Sequence, residues 1–164
     1  MSDKNSVGDN IIARRASWDF SGETAINFNE HVSKSVPGYK EGHEILLSLS
    51  DYFLTKENSY LIDIGSSTGT LIKKLSQRHK DKFLNLIGID PEKKMIEISN
   101  KLIERNPNHN IDFENSNFLD YKIKKEISIF VSYYTMQFIH PSRRQIFINK
   151  IYENLEWGGA LFLF

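Results

Sequence analysis

The 164-residue sequence contains no cysteine. Disulfide bonds, thiolate nucleophiles, iron–sulfur clusters and cysteine zinc sites are therefore excluded. No apolar run approaches 18 residues, so the sequence predicts no membrane-spanning helix. The first ten residues are polar and lack the apolar core of a signal peptide, which predicts that the protein is not secreted. Together these absences favour a cytoplasmic protein.

The sequence also lacks an excess of either charge. Lys plus Arg and Asp plus Glu both number 21, so the formal net charge is zero. Without an overall field, we expect neither direct nucleic-acid binding nor a membrane partner. Two local basic clusters remain, at residues 73–82 and 122–125. Each could be a basic patch, and we interpret both as solvated helix faces and turns.

Apolar residues make up 40% of the chain and charged residues 26%, which is ordinary for one globular core. We divide the sequence into an N-terminal arm and cap segment, residues 1–40, and a ligand-binding core, residues 41–164. Within the first part, residues 1–16 are expected to be flexible. Short helices and a turn at Pro37–Gly38 are expected to follow.

The core alternates between strand and helix patterns, which predicts an α/β fold with a parallel sheet. Right-handed crossovers and one switch of direction give a doubly wound sheet of strand order 3-2-1-4-5. A ligand of such a sheet binds at the carboxyl ends of the first and fourth strands. The predicted strands are residues 60–64, 84–89, 111–114, 127–134 and 160–164. The predicted helices are 41–54, 68–79, one opened by Pro91 and one opened by Pro141, and a turn is predicted at Trp157–Gly159.

The last predicted strand ends at Phe164 in the apolar run Leu-Phe-Leu-Phe. We expect further C-terminal strands in the complete fold. An uncovered strand edge presents unpaired backbone groups, which predicts self-association and a possible homodimer.

The segment Asp-Ile-Gly-Ser-Ser-Thr-Gly, residues 63–69, joins the first strand to a helix. Gly65 allows a ligand to approach the backbone closely, and Gly69 allows the helix to pack against the strand. The spacing differs from the G-x-G-x-x-G fingerprint of dinucleotide sites. Asp63 would repel a pyrophosphate and would suit an ammonium group. S-adenosylmethionine (SAM) carries an ammonium, a carboxylate and a sulfonium, and no phosphate.

Three further positions follow predicted strands. Asp90 ends the second strand and could accept hydrogen bonds from both ribose hydroxyls, or alternatively cap the helix opened by Pro91. Asn117 and Phe118 follow the third strand, where an amide and an aromatic ring could hold adenine. The alternative for this pair is a polar loop with one buried phenylalanine.

The end of the fourth strand should line the reaction centre, and Tyr133 is our candidate catalytic residue for positioning a nucleophile. The five histidines show no metal-ligand spacing, so we predict no metal site and interpret all five as structural or solvated. His140 is the least certain of them.

The motifs D-I-G-S-S-T-G, I-G-I-D and S-N-F resemble those of the class I SAM-dependent methyltransferases. Three further segments resemble the carboxy-S-adenosyl-L-methionine synthases, which act in tRNA wobble-uridine modification: residues 35–39, 134–138 and 150–155, the last with Gly158–Leu161. The resemblance implies a Rossmann-like fold and a SAM or carboxy-SAM cofactor. It implies a SAM-dependent transferase, either a methyltransferase with an unknown acceptor or a carboxy-SAM synthase. A non-catalytic interaction module is the third possibility.

The resemblance also implies roles for single residues. Tyr39 would contact the cofactor; Gly65, Ser66 and Ser67 would hold its methionine part. Asp90, followed by Pro91, would hold the ribose, and Asn117 and Phe118 the adenine. The sequence departs from the family pattern at Pro91 and Tyr133, where the family has asparagine. The family's arginine for the added carboxylate would lie beyond Phe164.

Overall fold

The computed structural model describes residues 13–14, 17–18, 32–103 and 107–164. In this part of the chain, no helix is both long and apolar enough to cross a membrane. The elements in chain order are β1 (Ala13–Arg14), β2 (Ser17–Trp18), α1 (Tyr39–Ser50), β3 (Ser59–Ile64), α2 (Thr70–Arg78), β4 (Leu84–Asp90), α3 (Lys93–Leu102), β5 (His109–Asn115), β6 (Ile127–Ser132), α4 (Pro141–Asn154) and β7 (Leu155–Leu163). A single 3-10 turn, Met136–Phe138, lies between β6 and α4.

The large sheet has five parallel strands in the order β5-β4-β3-β6-β7. Counted from β3 as the first strand, this is the predicted order 3-2-1-4-5, and the doubly wound α/β prediction is confirmed. Ile62 of β3 lies between Ile87 of β4 and Phe130 of β6. The direction of winding reverses at β3 and β6, so the carboxyl ends of these strands border the expected ligand crevice.

Apolar side chains cover both faces of the sheet. On one face, Leu61 and Leu86 pack with Leu46 of α1 and Leu75 of α2. On the other face, the cluster contains Ile62 and Phe130 together with two residues of α4, Phe147 and Ile151. Because β3 is buried on both faces, it is a nearly continuous apolar run, as expected for an inner parallel strand.

Helical periodicity in the sequence predicts an apolar face that includes Ile45 and Tyr52 on the first helix and one that includes Ile146 and Tyr152 on the last, and both predictions are wrong in part. In α1, Ile45 is 54% exposed and Tyr52, just beyond its end, is 77% exposed. In α4, Ile146 and Tyr152 are likewise exposed. The residues of α1 that face the core are Gly42, His43, Leu46, Leu47 and Ser50. Small and hydrogen-bonded polar residues allow α1 to approach the sheet closely, and a pattern based on hydrophobicity alone overlooks them.

Two predicted boundaries at the end of the sheet also differ. Strand β6 ends at Ser132, because Tyr134 adopts a φ of 52° that an extended strand cannot contain. The turn predicted at Trp157–Gly159 lies inside β7, which already begins at Leu155. Ile127 pairs with Leu155 and Ile129 with Ala160, so β7 has extra residues between these two pairs and the register shifts. Gly158, one of the extra residues, has a φ of 83°.

The N-terminal prediction is correct only in part. Ala13 pairs with Trp18 in the antiparallel β1–β2 ribbon, where the sequence predicts a flexible arm followed by short helices. Residues 32–35 do form a short helix before the predicted turn. The turn at Pro37–Gly38 is present, and Gly38 adopts a φ of 74°. The aromatic residues Phe20 and Phe28 lie outside the described residues.

Two residues of the basic cluster at 73–82 form ion pairs with acidic residues of α1 and its C-cap. Lys74 lies 2.8 Å from the carboxylate of Glu44, and Arg78 lies 2.5 Å from that of Asp51. These pairs are exposed and contribute little to stability, but each offsets one positive charge of the cluster. The interpretation of the cluster as a solvated helix face stays a prediction.

Candidate functional site

The turn after β3 is built around Gly65. Its φ is 74°, and its N–H donates to the Ile89 carbonyl at 2.8 Å, alongside the Ser66 N–H at 3.1 Å. A Cβ at Gly65 would collide with the side chain of Thr135, whose Cγ2 would be only 2.7 Å away. Thr135 is held there because its hydroxyl donates to the Ile64 carbonyl at 2.9 Å. Glycine is thus required by both the backbone conformation and the packing.

The two serines of this turn point in different directions. The Ser66 hydroxyl is buried against Gly88 of β4 and has no hydrogen-bond partner among the described residues. Ser67 adopts a φ of 51°, and its hydroxyl donates to the sulfur of Met95 at 3.4 Å. Because the N–H groups of Gly65 and Ser66 already have an acceptor, they shape the turn. Their predicted contact with a methionine group stays a prediction.

Asp90, at the end of β4, is 7% exposed and accepts two backbone hydrogen bonds. The Ser67 N–H and the Glu92 N–H each donate to its carboxylate at 2.9 Å. Burial raises the pKa of Asp90 above its usual value, and the hydrogen bonds from these two N–H groups offset part of this rise. The bond from Glu92 closes a turn before α3, whose N-cap is Glu92, so the alternative that Asp90 caps this helix is wrong. The bond from Ser67 ties Asp90 to the glycine turn. The next residue, Pro91, is exposed, and its carbonyl accepts from the Asn115 side-chain amide at 2.9 Å.

Asp63 is the most enclosed acidic side chain of the site, at 3% exposed. No N–H or O–H group of the described residues donates to its carboxyl. Burial raises the pKa of Asp63 to about 7, and the negative charge of Asp90 adds to this rise. A buried carboxyl without a donor is unusual in proteins and indicates a place for a cationic group.

Aromatic rings close the site on the side of α1 and β6. The Tyr39 ring lies 4.9 Å from His43, 5.0 Å from Tyr133 and 6.0 Å from Tyr134, between ring centroids. The Tyr133 hydroxyl donates to the Tyr39 carbonyl at 2.6 Å, which joins the end of β6 to the start of α1. Burial and the charge of Asp63 raise the pKa of Tyr39 above its usual value. The negative charge of Asp63 thus acts on the Tyr39 hydroxyl of this cluster.

The structure gives Tyr133 a positioning role within the protein itself. Its ring is 8% exposed, and burial raises the pKa of its hydroxyl to about 12. The Tyr133 hydroxyl is therefore protonated at neutral pH, and it donates its hydrogen to the Tyr39 carbonyl. A role for Tyr133 in positioning a nucleophile stays a prediction. Burial also lowers the pKa of His43 to about 4, so this imidazole is neutral.

We expect Gly42→Ala to destabilise the protein by about 1–2 kcal/mol, although alanine favours helices. The new Cβ would overlap the Tyr133 hydroxyl and lie 3.1 Å from its ring carbon Cζ. Such overpacking destabilises by about 1–3 kcal/mol, and the helix propensity gain of up to about 1 kcal/mol offsets only part of it. Urea unfolding measures the change. The Gly42→Ala/Tyr133→Phe double variant should recover stability, and an unaltered midpoint for Gly42→Ala alone would contradict the packing argument.

The loop after β5 contains the predicted adenine residues. Asn117 is exposed, and its side-chain oxygen accepts from the Leu119 N–H at 2.9 Å. The Phe118 ring is 5% exposed and packs edge-on against Phe130 and Phe147. This arrangement matches the alternative of a polar loop with one buried phenylalanine. In the described part of the chain, the Phe118 N–H has no acceptor.

Comparisons with known proteins agree with this geometry. Residues 61–159, more than half of the chain, match the family described as a methyltransferase domain. The chain belongs to this methyltransferase-domain family. The matched region extends from β3 into β7 and therefore includes the glycine turn, Asp63, Asp90 and the loop after β5.

Two curated relatives of this methyltransferase domain are carboxy-S-adenosyl-L-methionine synthases. The protein of Staphylococcus epidermidis is 39% identical over 147 residues, covering 89% of this chain and 62% of the relative. The protein of Nautilia profundicola is 36% identical over 146 residues, covering 89% of this chain and 60% of the relative. The methyltransferase domain thus spans about three-fifths of the length of these relatives.

A solved structure with the same fold is the plantazolicin methyltransferase BpumL in complex with S-adenosyl-L-homocysteine (SAH). Its TM-score is 0.69 at 14% sequence identity, and the match covers 87% of this chain and 53% of that chain. At this identity the likeness shows a shared fold. It agrees with the Rossmann-like methyltransferase sheet that the sequence resemblance implied.

Three described histidines of the methyltransferase domain form hydrogen bonds within the protein. His79 is buried and hydrogen-bonds Ser50 at 2.7 Å, and His109 is buried with its Nε2 2.9 Å from the Ser76 carbonyl. His140 is exposed and accepts from the Ser142 N–H, which caps α4. His31 lies outside the described residues. Within the described ranges, no cluster of three or more histidine, aspartate or glutamate side chains could hold a metal ion.

Sequence reasoning missed four residues of this site. Thr135 covers the glycine turn, Gly42 makes room for Tyr133, and His43 packs among the tyrosines. Lys150 supports the loop after β5 through its ammonium group. Gly42, in the first turn of α1, was the one local signal available, because glycine lowers helix propensity without an evident reason. The contacts of Thr135, of Lys150 and of His43 with Tyr133 join residues distant in sequence.

Proposed function

We propose that this methyltransferase domain binds SAM across the carboxyl ends of β3, β4 and β5 and acts as a SAM-dependent transferase. One observation carries the proposal. Two buried carboxyls, Asp63 and Asp90, stand at the ends of adjacent strands on either side of the Gly65 turn. This pair suits a ligand with an ammonium group and a ribose, and it disfavours a pyrophosphate.

Asp63 would hold the ammonium group of the ligand. Its carboxyl is enclosed and without a donor, so an ammonium would supply both the missing hydrogen bonds and the missing charge. Asp90 would hold the ribose. Each oxygen of its carboxylate accepts one backbone N–H and keeps a further lone pair for a hydroxyl.

The adenine would lie against the loop after β5. The Phe118 N–H is a donor for a ring nitrogen, and the exposed Asn117 amide is available for the exocyclic amino group. The Phe118 ring itself is buried in the core, so we assign the backbone of Phe118 to the adenine and leave its ring to packing. The aromatic cluster of Tyr39 would border the methionine end.

SAM supplies an activated methyl group on its sulfonium. The protein would hold donor and acceptor in line, which can provide much of the rate enhancement. Two side chains of the aromatic cluster are poorly suited as a base: the Tyr133 hydroxyl keeps its proton, and His43, with a pKa of about 4, is only weakly basic. The proposal therefore places the catalytic contribution in binding and orientation, with the acceptor unassigned.

A second candidate, carboxy-SAM synthesis, is favoured by the curated relatives, which carry that name at 36% and 39% identity. In that reaction an enol acid would provide the carboxylate-bearing carbon. The product would serve tRNA wobble-uridine modification in the cytoplasm, as the sequence resemblance implies.

Calorimetry with SAM tests binding, and mass spectrometry of the nucleoside retained by the purified protein separates the two reactions. Retained carboxy-SAM, heavier than SAM by one CO₂ unit, would support the synthase. Retained SAM or SAH would support a methyltransferase. If calorimetry shows no binding and SAM causes no thermal shift, the proposal fails and a non-catalytic interaction module is favoured.

We expect SAM affinity to rise with pH through about 7. Only the ionised Asp63 carboxyl attracts the ammonium group, so affinity should be about tenfold lower at about pH 6 than at about pH 8. Without ligand, Asp63 keeps its proton in the folded protein up to about pH 7, whereas in the unfolded chain it loses the proton near its usual pKa of 3.8. The free energy of unfolding therefore falls as the pH rises between these two values. Calorimetry across this range is the measurement.

Asp63→Asn is the matched control for the pH profile. It removes the titrating group with little change in volume, so its affinity should be weaker and nearly independent of pH in the same range. His43 is already neutral there because its pKa is about 4, so it adds no slope. A wild-type affinity that does not vary between the two pH values would show that Asp63 does not face the ammonium.

A further inference from the structure

The ammonium group of Lys150, on α4, contacts the backbone of the loop after β5. Its Nζ donates to three backbone carbonyls: Phe118 at 2.8 Å, Leu119 at 2.9 Å and Tyr121 at 2.6 Å. An ammonium has three N–H donors, so this loop uses every donor that Lys150 possesses. The Nζ also lies 5.1 Å from the centroid of the Phe118 ring.

The N–H groups of the same loop converge on Asn117. The Leu119 N–H donates to the Asn117 side-chain oxygen at 2.9 Å. The N–H groups of Asp120 and Tyr121 donate to the Asn117 carbonyl at 3.0 and 3.1 Å. Asn117 therefore accepts from three N–H groups of the loop, and Lys150 donates to three of its carbonyls, although the loop belongs to no helix or strand.

The position of Lys150 is itself held by the core. It directly precedes Ile151, which is buried with Phe147 in the cluster that also contains Phe118. The stem of Lys150 is thus anchored on a packed helix, and its ammonium holds the backbone carbonyls that directly follow the Phe118 N–H. A displaced Phe118 peptide would carry its free N–H and the neighbouring Asn117 amide with it.

We propose that Lys150 is a positioning residue for adenine recognition. It holds the loop of residues 117–121 so that the Phe118 N–H and the Asn117 amide face the base. This inference rests on the proposed function, because it assigns the adenine to that loop. Lys150 acts through the backbone and does not contact the ligand.

A comparison of two bases distinguishes a specific effect on adenine recognition from a general loss of stability. Adenine N1 accepts a hydrogen bond, whereas N1 of hypoxanthine carries a hydrogen and would oppose the Phe118 N–H. A correctly held loop should therefore prefer SAH over S-inosyl-L-homocysteine. A loosened loop should lose this preference as well as affinity.

The experiment compares Lys150→Met, Lys150→Arg and Lys124→Met with the wild type, using calorimetry with SAH and with S-inosyl-L-homocysteine. Methionine keeps the apolar stem and removes the ammonium. We expect Lys150→Met to bind SAH at least about tenfold more weakly, because the Phe118 N–H and the Asn117 amide would no longer be held in place for the base. Its preference for adenine should collapse, and Lys150→Arg should restore part of it. Lys124→Met, at an exposed position after the same loop, should behave as the wild type.

Hydrogen exchange gives the second measurement. In Lys150→Met, the amides of Leu119, Asp120 and Tyr121 should exchange faster while those of β4 remain unchanged. Weaker SAH binding with an intact adenine preference and unchanged loop exchange would overturn the assignment, as would wild-type behaviour of Lys150→Met. If the wild type binds neither nucleoside, the proposed function itself fails and the inference fails with it. If the wild type binds and only the Lys150 effect is missing, the proposed function stands.

Discussion

Gly65→Val is expected to abolish SAM binding and leave a folded but less stable protein. Valine resists a φ of 74° because its branched Cβ crowds the backbone. Its Cβ would also strike Thr135, so either Thr135 or the turn must move into the space next to Asp63 and Asp90. We expect affinity to fall by more than about a thousandfold, the equivalent of about 4 kcal/mol. Calorimetry measures the loss, and circular dichroism confirms that the variant is folded.

Gly158→Val is the matched control for the backbone effect. Gly158 has a φ of 83°, and a Cβ there meets no atom within 4 Å. This variant carries a similar conformational penalty on the edge strand β7 without a collision near the site. It should lose stability and keep SAM affinity. If a folded Gly65→Val protein takes up SAM as the wild type does, the ligand does not lie over this turn.

Asp90→Ala is expected to weaken SAM binding by about 10- to 1,000-fold. Two charge-assisted hydrogen bonds to the ribose would be lost, each worth about 1.5–3 kcal/mol, with incomplete additivity. The same change leaves the N–H groups of Ser67 and Glu92 without their acceptor, so the protein should also lose stability. Affinity by calorimetry and stability by urea unfolding must therefore be measured separately.

The two measurements distinguish the two roles of Asp90. A loss of stability with unchanged affinity would leave Asp90 as a cap for the backbone after β4 and nothing more. Asp112→Ala provides the control, since it makes the same substitution at an exposed residue of β5. Neither affinity nor stability should change appreciably in that variant.

Local patterns in the sequence predicted the architecture well. The apolar runs of β3, β4 and β6 are buried on both faces, and the alternation with helices required parallel strands in the order that the structure shows. The glycine turn was also predicted, because Gly65 and Gly69, which define it, lie within one short segment. Helix faces were predicted less well: α1 is buried through Gly42 and Ser50, which a hydrophobic pattern assigns to the surface.

The candidate site was predicted only in outline. The positions of Asp63 and Asp90 follow from the strand ends, and both side chains are buried there as a ligand site requires. The direction of the Ser66 hydroxyl toward Gly88 and the burial of the Phe118 ring could not be predicted, because both depend on packing against neighbouring strands and helices. The roles of Pro91 and Asn117 toward a ligand remain predictions.

By itself, the sequence determined the doubly wound sheet, the glycine turn and the two acidic strand ends, because each depends on residues within one element or one turn. Only the tertiary structure decided which side chains complete the site. Thr135 reaches the turn from 71 residues away, and Lys150 reaches the loop after β5 from about 30 residues away. A threonine or a lysine at those positions has no local signature. Its role arises when the folded sheet and α4 bring distant backbone carbonyls within reach of its donors.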